Sequence, residues 1–125
     1  MPILQIEVVL AAGEPAAASA AAYAQAAASV LGSRPGGTWV RLRQLEAGSY
    51  AEDAGGPPPG VFPVFVEVLL AEHPPQAELV NLAEKLAAAI AEVCGRPSAN
   101  VHVFFEPPGR GRVGFGGKLL PSQEE

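Results

Sequence analysis

The sequence predicts an α+β fold: two tandem β-α-β units forming a four-stranded sheet with two helices on one face. Three observations carry this. Residues 4–12 (Leu-Gln-Ile-Glu-Val-Val-Leu-Ala-Ala) and 64–72 (Val-Phe-Val-Glu-Val-Leu-Leu-Ala-Glu) are near copies, with Glu7-Val8 and Glu67-Val68 sixty residues apart. The helical stretches that follow stop at similar signals, Gly32-Ser33-Arg34-Pro35 and Cys94-Gly95-Arg96-Pro97. Glycine pairs, Gly55-Gly56 and Gly116-Gly117, then close the two halves.

Taken in order, the short β-branched and aliphatic run at 4–12 reads as a buried strand. Pro15 opens a first helix over about 15–31 that is almost polyalanine. Its propensity is high, but only Tyr23, Val30 and Leu31 give it bulk. Glycine terminates it and Pro35 forbids continuation. A second strand follows at 39–45. There Trp39, Arg41, Arg43 and Leu45 alternate with Val40, Leu42 and Gln44, so Arg41 and Arg43 share one face while Val40 and Leu42 turn to the helix. Pro57-Pro58-Pro59-Gly60 reads as a stiff linker, which gives repeat one at 2–56, a linker at 57–61 and repeat two at 62–120. In repeat two a strand over 64–72 leads to Pro74-Pro75, a helix-start signal. The helix carries an apolar stripe at Leu79, Leu82, Leu86, Ile90 and Val93. In the last strand, about 100–106, Val101, Val103 and Phe105 face the helix, and His102 and Phe104 face away. Parallel strands bridged by a helix require a right-handed crossover. With both helices on one side, the other sheet face is covered most simply by another subunit.

Composition narrows the partners. A 125-residue chain suits one domain, and 49% hydrophobic against 17% charged residues favours burial against copies of itself. A net charge of −5 argues against nucleic acid or an anionic membrane. The lone cysteine, Cys94, forms no internal disulfide and fits a reduced, cytoplasmic setting. The start lacks the basic region of a signal peptide, and no apolar run reaches the roughly 18 residues of a membrane span. Gly109-Arg-Gly111-Arg-Val-Gly114 matches a dinucleotide fingerprint, but no helix can follow it, so a glycine-rich hairpin is the better reading. His73 and His102 are too few for a metal site.

The residue with unusual chemistry is Pro2. Loss of Met1 would leave a free secondary amine, whereas every other proline nitrogen in the chain is an amide. An α-amino group titrates near about 7.7–8. Burial in an apolar pocket and nearby cations disfavour its ammonium form, which makes it a usable base at neutral pH. Arg41 and Arg43 supply cations on the helix-free face. They either hold a carboxylate substrate bidentately or pair with acids such as Glu7 and Glu67 across an interface.

These residues resemble the tautomerase superfamily, in particular the 4-oxalocrotonate tautomerase family. Pro2-Ile-Leu-Gln-Ile is similar to that family's first strand, whose proline is the acid/base. Val40-Arg41, Glu46 and Gly55-Gly56 match its second strand and hairpin. Pro97, Val101-His102-Val103 and Gly114-Phe-Gly116-Gly117 match the same stretch again. The resemblance thus covers nearly the whole chain twice, as in the fused, double-length form, three chains of which make a trimer. In the register that aligns the prolines it puts Pro63 at the catalytic proline's place in repeat two, where acylation of its nitrogen prevents it from acting as a base; a register one residue away aligns Glu7 with Glu67 instead. The family's arginine after the first strand falls on Ala12 and His73. Its second-strand arginine falls on Arg41 and His102, and its pocket phenylalanine on Glu52, beside Tyr50, and Val113. The arginine pair of the malonate semialdehyde decarboxylases and chloroacrylate dehalogenases is absent around Glu72-His73-Pro74-Pro75.

The resemblance implies a tautomerase, an isomerase catalysing a 1,3-keto-enol proton transfer on a small 2-hydroxy-dienoate or 2-keto acid. Pro2 and Arg41 would be catalytic, with Arg43, His102, His73, Tyr50 and Trp39 around the substrate. No cofactor or metal is expected. The partners expected are a small-molecule carboxylate and two further copies in a homotrimer. The alternatives are a tautomerase-fold binding or scaffold protein and a ferredoxin-like small-molecule module, which would have no use for a free Pro2.

Overall fold

Along the first strand Leu4, Ile6 and Val8 are buried and Gln5 is exposed, the period-two pattern of a sheet with one covered face. The computed structural model describes residues 2–15 and 18–122. Its principal elements are β1 (Ile3–Val9), α1 (Ala20–Leu31), β2 (Trp39–Leu45), β3 (Val64–Leu69), α2 (Gln76–Cys94), β4 (Val101–Phe105), β5 (Gly114–Phe115) and β6 (Lys118–Leu119). The four long strands form one sheet in the order β2-β1-β3-β4. β1 runs parallel to β2, β3 runs parallel to β4, and β1 and β3 are antiparallel, so two β-α-β units meet at the sheet centre.

Both helices cover the same face. Leu4, Ile6, Val8, Val64, Val66, Val68 and Val101 of the sheet meet Tyr23 and Ala27 of α1 and Leu86, Ile90 and Ala91 of α2. Each fully buried aliphatic side chain contributes roughly 1.5–3 kcal/mol. The polyalanine of α1 lets it lie close against its neighbours, with Tyr23 supplying bulk. Four of the five residues of the stripe expected on α2 reach the core, Leu86 and Ile90 completely and Leu82 and Val93 in part, while Leu79 is half-buried outside it. Both helices end on a left-handed glycine, Gly32 at φ 64° and Gly95 at φ 68°.

Two expectations are corrected. Helix α1 does not open at Pro15; it begins at Ala20, where the Ser19 hydroxyl accepts a bond from the Ala22 N–H. Of the stretch between, residues 16 and 17 lie outside the described residues. The second correction concerns register. Core-facing Leu4 pairs with Val40, and core-facing Val64 pairs with Val101. Leu4 therefore corresponds to Val64, Glu7 to Glu67, and Arg41 to His102. In this register Phe62, not Pro63, stands where Pro2 stands; Pro63 corresponds to Ile3.

After β4 the chain crosses the end of the sheet. Gly109 donates its N–H to the Leu70 carbonyl at 2.8 Å, and Arg110 donates to Ala71 at 3.2 Å. The β5-β6 hairpin then turns on Gly116 and Gly117, both at positive φ, as a two-residue hairpin requires. Phe115 meets Trp39 of the opposite edge strand edge-to-face, 5.7 Å between ring centroids. Among the described residues the first half forms no matching hairpin at Gly55-Gly56, although both glycines are at positive φ.

Candidate functional site

Pro2 is half-buried at the head of β1, where its carbonyl accepts the Trp39 N–H at 3.0 Å. Ile3 faces away from the helices, so alternation puts the Pro2 ring on the helix side. There it borders an open cleft of about 450 Å³ with Leu31, Gly32, Ser33, Arg34 and Gly37. The cleft's rim is a tight turn over Arg34-Pro35-Gly36-Gly37. The Gly37 N–H returns to the Arg34 carbonyl at 2.8 Å, Gly36 takes φ +76°, and the Trp39 indole N–H donates to the Gly36 carbonyl at 3.1 Å. A Cβ on Gly37 would lie 2.9 Å from the Arg34 carbonyl, so a side chain there would break the turn. Arg34, read from the sequence only as part of a helix stop, is the cation bordering this cleft. Ser33 and Arg34 also border a neighbouring groove of about 490 Å³ along α1, open because Ala24 and Ala28 have no bulk.

The other sequence-derived residues do not line the Pro2 cleft. Arg41 and Arg43 are exposed on the helix-free face of edge strand β2, beside Gln5 and Glu7 respectively, and form no ion pair among the described residues. Trp39 lies on that same face, 44% exposed, at the Pro2 end. His102 and Tyr50 gather at the other end around Phe65, with ring centroids 5.7 and 5.9 Å away. Phe65 pairs with Glu7, five residues along the strand from Pro2, or about 16 Å. The Tyr50 hydroxyl donates to the Glu52 carboxylate at 2.6 Å, and that bond is the main reason its phenol is pushed above its ordinary range. The His73 Nε2–H donates to the Glu106 carbonyl at 2.7 Å, so this ring holds the exit of β4 in place.

The remaining arginines are committed within the chain. Arg110 pairs with Glu72 at 2.6 Å, and Arg112 donates to the carbonyls of Pro107 and Pro108. Arg96, only 10% exposed at its side chain, gives Nη1 to the Phe62 carbonyl at 2.9 Å and Nη2 to both Glu14 oxygens at 3.2 and 3.3 Å. The Ala11 N–H donates to Glu14 at 2.8 Å and is the largest influence holding that carboxyl below its usual range, with Arg96 adding to it. Beside this network burial pushes the Tyr23 phenol up to about 12 and raises the Cys94 thiol. Among the described residues no cluster of His, Cys, Asp and Glu could hold a metal, and no helix is long and apolar enough to cross a membrane.

No protein-family model matches the chain. The probable tautomerases of Bacillus cereus and Bacillus anthracis are each 36% identical to it over 56 residues, which is 45% of this chain and 92% of theirs. Of solved structures, a wild-type fused 4-OT described as an asymmetric trimer superposes with a TM-score of 0.69 at 21% identity, over 92% of this chain and 94% of that one. A macrophage migration inhibitory factor homologue from Prochlorococcus marinus superposes with a TM-score of 0.66 at 19% identity, over 94% and 97%. A single-unit relative matched over nearly its whole length, on a chain with two such units in one sheet, places this protein in the tautomerase family as a fused, double-length member.

Proposed function

We propose that the protein is a tautomerase that uses the amine of Pro2, freed by removal of Met1, as general acid and base. Met1 lies outside the described residues. The observation that carries the reading is the placement of Pro2: half-buried at the head of a central strand, walling a cleft with a cation on its rim. In a small 2-hydroxy-dienoate or enol of a 2-keto acid, the amine takes the proton of the enol hydroxyl. The electron pair of that O–H bond forms the carbonyl, and the ammonium returns a proton to carbon. Two electrostatic influences bear on the amine in opposite directions. The Arg34 guanidinium disfavours the ammonium form, and the carbonyl end of α1 favours it by roughly 0.3–1 kcal/mol.

The chain is proposed to act as a homotrimer closed through the helix-free face. That face leaves Trp39 and Phe104 exposed, at 44% and 52%, with the charges of Arg41, Arg43, Glu7 and Glu67 around them. A similar fused 4-OT is an asymmetric trimer. In such an assembly Arg41 and Arg43 face a neighbouring copy. They act there on its substrate or on its Glu7 and Glu67, and Tyr50 and His102 stand beside a neighbour's site instead of their own.

The test is intact mass combined with ketonisation of phenylenolpyruvate or 2-hydroxymuconate. The mature chain should lack Met1, and Pro2→Ala should lower kcat/KM by about 10²-fold or more. A protein that retains Met1 and still turns over would overturn the proposal.

A further inference from the structure

We propose that Trp39 is a positioning residue for the Pro2 cleft: its indole, backed by Phe115 of the C-terminal hairpin, holds the Arg34–Gly37 turn against the head of β1. The inference rests on the reading of Pro2 as the reactive group and adds what keeps the cleft in shape around it.

The turn is weakly held by its own backbone. Gly36 takes φ +76°, and a Cβ on Gly37 would meet the Arg34 carbonyl at 2.9 Å, so both positions call for glycine. Two adjacent glycines give this stretch the greatest backbone freedom to lose. Within the turn one bond opposes that freedom, from the Gly37 N–H to the Arg34 carbonyl at 2.8 Å, and the Ser33 and Thr38 hydroxyls meet across its base at 2.5 Å. The tip is held from outside, by the Trp39 indole N–H on the Gly36 carbonyl at 3.1 Å. Trp39 also gives its backbone N–H to the Pro2 carbonyl at 3.0 Å. One residue therefore fastens both walls of the cleft, Pro2 through its backbone and the turn through its side chain. Phe115 meets the indole edge-to-face at 5.7 Å, which restrains a ring that would otherwise turn freely on an exposed edge strand.

The second half of the chain builds the same connection without such a pin. Trp39 corresponds to Asn100, since Val40 pairs with Leu4 as Val101 pairs with Val64. Five residues, 96–100, link Gly95 to Val101, where seven, 33–39, link Gly32 to Val40. The shorter loop contains no glycine and closes as a 3₁₀ turn over Ser98–Asn100, with the Asn100 N–H on the Pro97 carbonyl at 3.0 Å. Backbone bonds suffice there, at a strand head occupied by Phe62. The indole pin accompanies the longer, glycine-based loop, the one beside Pro2. Among the described residues bordering the cleft, Arg34 is the ionisable side chain. With the pin removed, the turn holds this cation beside the amine for less of the time, and the ammonium becomes easier to form.

The test is nuclear magnetic resonance of the whole protein as wild type, Trp39→Phe and Phe115→Leu. Trp39→Phe removes the indole N–H and keeps a ring against Phe115, whereas Phe115→Leu keeps the N–H and removes the edge contact. Exchange of the Gly37 amide hydrogen should speed up roughly three- to tenfold in Trp39→Phe and by less in Phe115→Leu. The midpoint of the Pro2 amine titration, followed at its nitrogen, should rise by about 0.3 or more in Trp39→Phe. A merely structural role would lower Tm and leave that midpoint in place. Unchanged Gly37 exchange overturns the assignment, as does faster exchange with an unmoved amine midpoint. If Trp39→Phe does not fold, the same two readings in Phe115→Leu decide the matter. Retention of Met1, seen by intact mass, would instead sink the reading of Pro2 itself, and with it the role of Trp39; an unmoved midpoint in a chain that lacks Met1 removes Trp39 alone.

Discussion

At Glu14 and Arg96 a partly buried charge pair is completed by backbone groups at both ends. The carboxyl takes the Ala11 N–H, and the guanidinium takes the Phe62 carbonyl. Because the folded state holds Glu14 below its ordinary value of 4.5, the folded chain binds its proton less readily than the unfolded chain does. The stabilisation is therefore complete above that value and is lost as pH falls through the lowered one. Glu14→Gln should flatten the acid limb of a Tm-against-pH profile, and an unchanged limb would show that the pair contributes nothing. At the alkaline end the sign reverses. Tyr23, pushed up to about 12, resists ionisation when folded, so stability should decline as pH rises from about 10 towards 12. Tyr23→Phe should remove that decline.

Helix ends decide the geometry of the two β-α-β units. Gly32 and Gly95 both take the left-handed conformation that redirects the chain toward β2 and β4. Gly95→Ala should destabilise the fold by about 1–2 kcal/mol in a denaturant titration, since nothing crowds the added Cβ and the penalty is backbone strain alone. Elements with alternating or striped side chains were legible in the sequence. β2 spans Trp39–Leu45 as read, and Leu86 and Ile90 of the α2 stripe are fully buried. The start of α1 was not legible, because an alanine run has no periodic bulk to mark where the helix begins. Nor was the Pro2 cleft. Alternation along β2 put Arg41 and Arg43 on the helix-free face, but only the pairing of Leu4 with Val40 shows that Pro2 turns the other way. Arg34 was hidden because Gly-Ser-Arg-Pro carries a stronger signal as a helix terminator than as a site.

For the molecule as a whole, the question is what covers the sheet opposite the helices. If three copies close over it, Phe104→Arg should reduce the mass measured by light scattering from three chains toward one while leaving the far-UV circular dichroism intact. Val80→Arg, on an exposed position of α2, should remain trimeric. Equal masses for wild type and Phe104→Arg would remove that face from the assembly. The proposed activity turns, however, on the nitrogen of residue 2. The most direct test compares phenylenolpyruvate ketonisation by the mature protein, its loss of Met1 verified by mass, with that by Pro2→Ala. A fall in kcat/KM of about two orders of magnitude or more is the predicted result, and equal rates would contradict it.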